Sequence, residues 1–274
     1  MPKSDNSRFD RLTQRAVLNR KVREFFESRH VMEVETPYLS QAAVTDPMIE
    51  SFQCQAPAMV SGSTPRYLNT SPEFAMKRLL CEGASDIFQI ARVFRANEFG
   101  RWHNPEFTLL EWYRHSLDYR QLAQECLALL QELAQHFQIV MSESIQSYAD
   151  LFQQGVGINP HLTHSDELIR CLQTHGVSMQ CDWEALDLDE LLQLVLTHLI
   201  EPRLPENQLT VIYDFPASQA ALAQLYPARI GDREVTLARR FEIYWGRLEL
   251  ANGFQELRDV SEQRARFEQD LRQR

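Results

Sequence analysis

Between Phe94 and Tyr113 the chain places Arg95, Arg101, His103, Asn104 and Phe107 in one short stretch, followed by Glu111 and Tyr113. Activation of a carboxylic acid by a nucleotide needs such a set. Attack of a carboxylate on the α-phosphorus builds negative charge on nonbridging oxygens, and a preorganised arginine stabilises that charge. Losing one such contact costs roughly 3 to 4 kcal/mol. An aromatic face can stack a base, and an amide can read its edge. Taken singly, each residue reads more readily as a solvated surface side chain, so order and spacing carry the argument.

The elements that must hold these residues can be read from periodicity. Apolar residues at three- and four-residue spacing (Phe9, Leu12, Val17, Leu18, Val22, Phe25, Phe26) predict a helix over 7–29. Residues 31–36 read as a short strand stopped by Pro37, and 67–71 as a second extended piece. A helix over 73–81 follows, with Ser71 as its cap and Pro72 opening it. Alternation over 87–95 and 107–113 predicts paired strands joined by a long polar loop, 96–106. Glu111 and Tyr113 then share a strand face. A carboxylate beside a phenol suits an ammonium, whose burial is costly unless it is paired.

Further on, 119–137 reads as an amphipathic helix, and 142–206 as mostly helical with breaks at Gly155–Gly157, Asn159–Pro160 and Pro202. Strands are expected at 208–215 and 241–250, and a charged helix at 261–274. Glu249 and Glu256 are seven apart, hence on opposite faces of an ideal strand; a bulge at Asn252–Gly253 would bring them together. Met141, Met179 and the Leu-rich run 186–199 read as ordinary core. Strands at long, irregular intervals favour an α+β domain around an antiparallel sheet flanked by helices. No Gly-x-Gly-x-x-Gly and no Gly-x-x-x-x-Gly-Lys-Ser/Thr occurs, so another scaffold would hold a nucleotide.

Bulk properties narrow the class. The chain has 274 residues, 44% hydrophobic and 24% charged, the profile of a soluble globular protein. No apolar run suits a membrane span, and the polar N-terminus has no signal-peptide core. The five cysteines, Cys54, Cys81, Cys126, Cys171 and Cys181, are scattered and none forms a Cys-x-x-Cys pair. They read as reduced thiols in the cytoplasm. A net charge of −10 lowers the expectation of tRNA binding and leaves room for a cationic substrate or a basic partner.

Four separated segments, in order, resemble class II aminoacyl-tRNA synthetases. Glu33–Pro37 (Glu-Val-Glu-Thr-Pro) resembles motif 1, whose proline sits at the dimer interface. The string from Phe94 to Tyr113 resembles motif 2, with its His-Asn-Pro-Glu-Phe-Thr core like the lysyl branch. Thr70–Glu73 resembles the segment that meets the substrate's amino group, and Glu249–Leu257 resembles the lysyl-type segment with acidic ATP and metal contacts. The likeness covers nearly the whole chain. Within that family, Tyr213–Gln219 and Gly100–Phe107 are similar to the short lysyl-tRNA synthetase paralogues that ligate (R)-β-lysine onto a lysine of elongation factor P.

The resemblance implies ATP and Mg²⁺ as cofactors, a homodimer, and a role for each matching residue. Arg95 would clamp the α-phosphate and the substrate carboxylate. Ala96, Asn97, Glu98, Asn104, Phe107 and Leu250 would line the ATP site, with Asn104 on the adenine edge and Phe107 stacked on its face. His103, with Arg101, would face the β- and γ-phosphates, and Glu249 and Glu256 would hold Mg²⁺. Ser71, Pro72 and Glu73 would receive the amino group near the carboxyl end. Glu111, Tyr113 and Glu256 would take the distal ammonium, and Asn252 would orient the carboxylate.

The chain departs from the pattern at two places. Asn97 stands where an acidic residue commonly follows the arginine by two, with Glu98 one later. The Gly-rich motif 3 segment, whose arginine holds the γ-phosphate, has no counterpart before Arg274. The expectation is thus one catalytic domain over 1–274 without motif 3 and without an anticodon-binding domain. Two alternatives stay open: adenylation of L-lysine with tRNA as acceptor, and an inactive paralogue that binds an amino acid or a partner.

Overall fold

The computed structural model describes residues 8–55, 65–178 and 182–273, which leaves Met179 and Cys181 outside the described residues. Two compact units emerge, one comprising Met1–Ser116 with Arg264–Arg274, the other Leu117–Gln263.

The first unit begins with α1 (Arg8–Glu27) and β1 (Met32–Glu33). Then come β2 (Leu39–Ser40), β3 (Gln53–Cys54), β4 (Arg66–Leu68), α2 (Glu73–Cys81), β5 (Ile87–Phe94) and β6 (Glu106–Tyr113). Strands β5 and β6 pair antiparallel from Ile87↔Tyr113 to Phe94↔Glu106. The alternating pattern thus gives the expected hairpin. Strand β1 joins parallel to β5 and is only two residues long, because pairing stops after Glu33↔Phe88. A second small sheet has the order β2-β4-β3.

Helix α1 buries Val22, Phe25 and Phe26. The Phe26 ring stacks on Phe88 at 4.6 Å and lies 5.4 Å from Trp112, which ties the helix to the hairpin face that carries this cross-strand pair. Its first half does not follow the expected burial: Phe9 and Leu12 are 77% and 53% exposed. At α2 the cap position is Pro72, not Ser71, yet the Ser71 Oγ still accepts the Glu73 backbone N–H at 3.0 Å.

The second unit runs α3 (Tyr119–His136), β7 (Ser142–Ser147), α4 (Tyr148–Val156), α5 (Ser165–Thr174), α6 (Leu188–Val195) and β8 (Gln208–Pro216). It continues with β9 (Leu225–Ile230), β10 (Arg233–Trp245) and β11 (Leu248–Phe254), and the last element of the chain is α7 (Val260–Gln273). A capping box between Asp118 and Gln121 starts α3, satisfying amide donors that the first helical turn leaves free. The sheet order is β11-β10-β8-β7, with β9 also on β10. Its core gathers Tyr148, Phe152, Leu168, Leu172, Leu191, Leu192 and Val195; of the Leu-rich run, Leu191, Leu192, Leu196 and Leu199 are core as read, whereas Leu188 is exposed.

Three readings need correction here. Residues 142–147 are not helical: Ser-Glu-Ser-Ile-Gln-Ser forms the edge strand β7, parallel to β8. Residues 241–250 are not one strand, because a turn at Gly246, with φ 53°, splits them between β10 and β11. The bulge on β11 is not at Asn252–Gly253. Tyr244 faces Glu249 while Ile243 faces Ala251, so the extra residue is Leu250. Gly253 has a different reason to be glycine, since a Cβ there would lie 2.4 Å from the Phe241 Cζ.

Candidate active site

In the first unit the β5–β6 hairpin positions the charged set. Its loop is closed at the base, where the Arg95 backbone N–H donates to the Pro105 carbonyl at 2.9 Å. The Arg95 Nε donates to the Thr70 carbonyl at 3.3 Å, and Nη1 lies 3.5 Å from the Glu98 carboxylate. Its guanidinium carbon sits 5.1 Å from the centre of the Phe107 ring. The second Glu98 oxygen is 3.8 Å from the His103 Nε2. Glu98 therefore stands between the two groups read as phosphate ligands.

Asn97, in the place of the usual acidic residue, donates through Nδ2 to the Glu50 Oε2 at 2.7 Å, and the Ala96 amide donates to the Glu50 carbonyl at 2.8 Å. Glu50 thus fastens the loop, a role that no spacing in the sequence signals. Arg101 rests its guanidinium 4.9 Å from the Trp102 ring, and Arg101, His103 and Asn104 are exposed.

A tighter cluster forms where β6 meets the start of α2. Tyr113 donates its hydroxyl to the Glu111 Oε1 at 2.8 Å, and the Ser71 Oγ donates to Oε2 at 2.5 Å. The two-residue spacing on β6 thus does bring Glu111 and Tyr113 together. Burial pushes the Glu111 carboxyl up to about 7 and Glu73 adds to the rise, while the hydrogen bonds and Lys77 oppose it. Glu73 itself is held by Lys77 at 2.6 Å, one helical turn along α2. Sequence reasoning missed Lys77, although its i,i+4 spacing from Glu73 was the available signal. It also missed Gln89, the cross-strand partner of Glu111. Gln89 is buried, its Oε1 accepts from Thr36 at 2.9 Å, and its Nε2 has no hydrogen-bond partner among the described residues.

In the second unit the Leu250 bulge resets the alternation of β11. Asn252 pairs with Glu242 and Phe254 with Arg240, while Glu249 pairs with Tyr244. Cross-strand partners share a face, so Glu249, Asn252 and Phe254 all project to the side of Arg240, Glu242 and Tyr244. Glu256, two residues past Phe254 and bridged to Ala223, continues that row. The odd spacing of the two glutamates is thus compensated by one inserted residue. Among the described residues no three His, Cys, Asp or Glu side chains form a metal cage. A shared face does not by itself bring the two carboxylates to one ion, since Asn252 and Phe254 stand between them in the row. Either glutamate alone has the oxygen donors that suit Mg²⁺, which is commonly held by one or two carboxylates plus phosphate oxygens.

Tyr213–Gln219 closes the far end of β8. Asp214, at φ 63°, is buried and accepts from the Tyr119 hydroxyl at 2.5 Å and from Arg120 at 2.9 Å. The Ser218 hydroxyl and the Gln219 amide both donate to the Asp189 carboxylate, at 2.8 and 3.0 Å.

Comparison with known proteins adds the following. Residues 4–274 match the family described as tRNA synthetases class II (D, K and N). A protein of Mannheimia succiniciproducens named elongation factor P--(R)-beta-lysine ligase is 45% identical over 264 residues, covering 96% of this chain and 78% of that protein. The proteins of the same name from Vibrio cholerae and Haemophilus influenzae are 44% and 42% identical, over 94% and 95% of this chain and 77% of each relative. Among the described residues no helix is long and apolar enough to cross a membrane.

Proposed function

Since this chain belongs to the class II tRNA synthetases of the D, K and N type, we propose that it activates (R)-β-lysine with ATP and passes it to a lysine side chain of elongation factor P. The observation that carries this reading is the Ser71–Glu111–Tyr113 cluster, a carboxyl held near neutrality by burial with two hydroxyls fixing its oxygens. Such a group exchanges its proton for an ammonium, so a diamino acid suits it better than a neutral side chain.

In the first step a substrate carboxylate oxygen attacks the α-phosphorus of ATP, the bond to the β-phosphate oxygen breaks, and pyrophosphate leaves. Arg95 stabilises the charge on the α-phosphate and aligns the attacking carboxylate. Phe107 stacks on adenine, and Asn104 reads its edge. His103 and Arg101 meet the β- and γ-phosphates. Glu98 holds Arg95 and His103 in place until the nucleotide arrives. Ala96, Asn97 and Leu250 complete the ATP contacts. Glu249 and Glu256 would hold Mg²⁺, which would neutralise phosphate charge. Ser71, Pro72 and Glu73 receive the amino group near the carboxyl end, Glu111, Tyr113 and Glu256 the distal ammonium, and Asn252 the carboxylate. In the second step a neutral acceptor amine attacks the acyl carbon, AMP departs, and the amine gives up a proton.

The same reading makes the protein a cytoplasmic homodimer. The exposed apolar side chains of Phe9, Leu12, Met32 and Leu39 in the first unit, Met32 and Leu39 flanking the Glu33–Pro37 segment, support the dimer, because exposed side chains of that size favour a covering surface. The test is amino-acid-dependent ATP–pyrophosphate exchange with (R)-β-lysine and with L-lysine, followed by acyl transfer to purified elongation factor P or to tRNA. Exchange preferring (R)-β-lysine, with label appearing on elongation factor P, is expected. Preference for L-lysine with label on tRNA alone would overturn the reading.

A further inference from the structure

In the second unit the Arg240 guanidinium is bonded through all three of its nitrogens. Its Nε donates to the Asn252 Oδ1 at 3.2 Å, Nη1 to the Gln219 carbonyl at 2.7 Å, and Nη2 to the Glu242 Oε1 at 2.5 Å. The other Glu242 oxygen takes the Tyr244 hydroxyl at 2.8 Å. The guanidinium carbon also lies 4.7 Å from the centre of the Phe215 ring. The side chains of Arg240 and Glu242 are only 18% and 8% exposed, whereas Asn252 is exposed. A planar fork pinned at three corners cannot swing to a ligand itself, but it presents one N–H in a fixed direction.

That direction decides what Asn252 can offer. An amide on an exposed strand carries a donor end and an acceptor end of nearly equal size and turns over easily. With its oxygen held by Arg240, its Nδ2 remains the end available to a ligand. A carboxylate accepts hydrogen bonds only, so the wrong end would set lone pair against lone pair. We propose that Arg240 is a positioning residue that locks the Asn252 amide donor-outward for the carboxylate of the amino-acid substrate, an inference that rests on the role given to Asn252 above.

The anchor also gives Tyr213–Gln219 a task. Gln219 supplies the carbonyl that fixes Nη1, and its own turn is tied down through Asp189 by Ser218 and the Gln219 amide. A segment remote in sequence from Asn252 therefore sets its orientation through one arginine.

The test measures KM for the amino acid and for ATP in pyrophosphate exchange. It compares the unmodified protein, Arg240→Lys, Asn252→Ala and the double variant. Lysine keeps a charge for Glu242 but loses the fork. Should Arg240→Lys fold poorly, Arg240→Met with Glu242→Gln removes the buried pair together and avoids an orphaned carboxylate. Arg240→Lys is expected to raise the amino-acid KM about tenfold, as for loss of one charge-assisted hydrogen bond, and to leave the ATP KM within about twofold. In the Asn252→Ala background the same change is expected to add no more than about twofold, because its effect runs through that amide. Independent effects that multiply in the double variant, or equal loss for both substrates, would overturn the inference alone. An unmodified protein without amino-acid-dependent exchange, or an Asn252→Ala variant with unchanged amino-acid KM, would overturn it through the reading beneath it.

Discussion

Ser71 and Glu111, 40 residues apart, are joined by a 2.5 Å hydrogen bond in which the same serine oxygen also accepts the Glu73 amide. The start of α2 is thereby fixed to the carboxylate on β6. Glu111 is a group whose ionisation opposes folding. Its carboxyl stands near 7 against an ordinary 4.5, because burial disfavours the charge. Between those values the folded chain holds more proton than the unfolded one, so stability falls as pH rises from about 4.5 to 7 and is flat beyond. Glu111→Gln removes this term. We expect it to raise stability at pH 8 by on the order of 2 kcal/mol relative to pH 5, after allowance for solvent screening. Urea midpoints of both proteins at the two pH values check it. The same change is expected to weaken diamino-acid binding by at least about tenfold, since a buried ammonium loses its counter-charge. An equal stability difference at pH 5 and 8 would contradict the argument.

Arg95 tests the phosphate-binding half of the reading. Its guanidinium donates to the Thr70 carbonyl and to one Glu98 oxygen, each at 3.3 Å or more, and rests near the Phe107 ring. Arg95→Ala should therefore leave the thermal midpoint nearly unchanged while lowering exchange by about a hundredfold or more. Arg95→Lys should recover only part, because a point charge cannot span phosphate and carboxylate together. Exchange within a few-fold of the unmodified protein would remove Arg95 from the chemistry.

The two halves of the candidate site were unequally legible. The β5–β6 hairpin follows from two apolar-rich runs joined by a long polar loop, although burial does not alternate along either strand: Ile87, Phe88 and Gln89 are all buried, and β6 after Glu106 is half-buried throughout. Glu50, which fastens that loop, has no sequence signal, since its contact spans 47 residues and depends on the path of the chain. Strand β7 was read as helix because Ser-Glu-Ser-Ile-Gln-Ser lacks apolar alternation; it is an edge strand whose order comes from the backbone of β8. The run 241–250 reads as one strand because alternation continues across Gly246, whose positive φ alone marks the turn. The parity problem of Glu249 and Glu256 was visible in the sequence, but the residue that solves it was not. A bulge at Leu250 is set by the register against Tyr244 and Ile243, which no local preference encodes.

The homodimer makes its own prediction. Phe9 and Leu12 occupy one turn of α1, at i and i+3, and both face solvent in the single chain. Replacing both by aspartate removes an apolar stripe without touching the buried Phe25 and Phe26. Sedimentation at micromolar concentration is expected to give a dimer for the unmodified protein and a monomer for Phe9→Asp with Leu12→Asp. A monomer in both would eliminate the interface.

Gly253 links packing to chemistry most directly. It faces Phe241 across the β10–β11 pair, and a methyl group there would come within 2.4 Å of Cζ and 2.6 Å of Cε1. The ring is 2% exposed in the sheet core and has little room to retreat. Gly253→Ala must therefore push β11 outward or force the phenyl from its rotamer, at a cost of about 1 to 3 kcal/mol. Asn252 is the adjacent residue, so any outward shift lengthens its contact with Arg240. We expect a lowered thermal midpoint together with a raised amino-acid KM. Phe241→Leu added to Gly253→Ala should restore the KM more fully than the midpoint, because it relieves the clash while leaving the core underfilled. If the double variant regained stability but not the KM, the glycine would matter to Asn252 by some route other than the aromatic ring behind it.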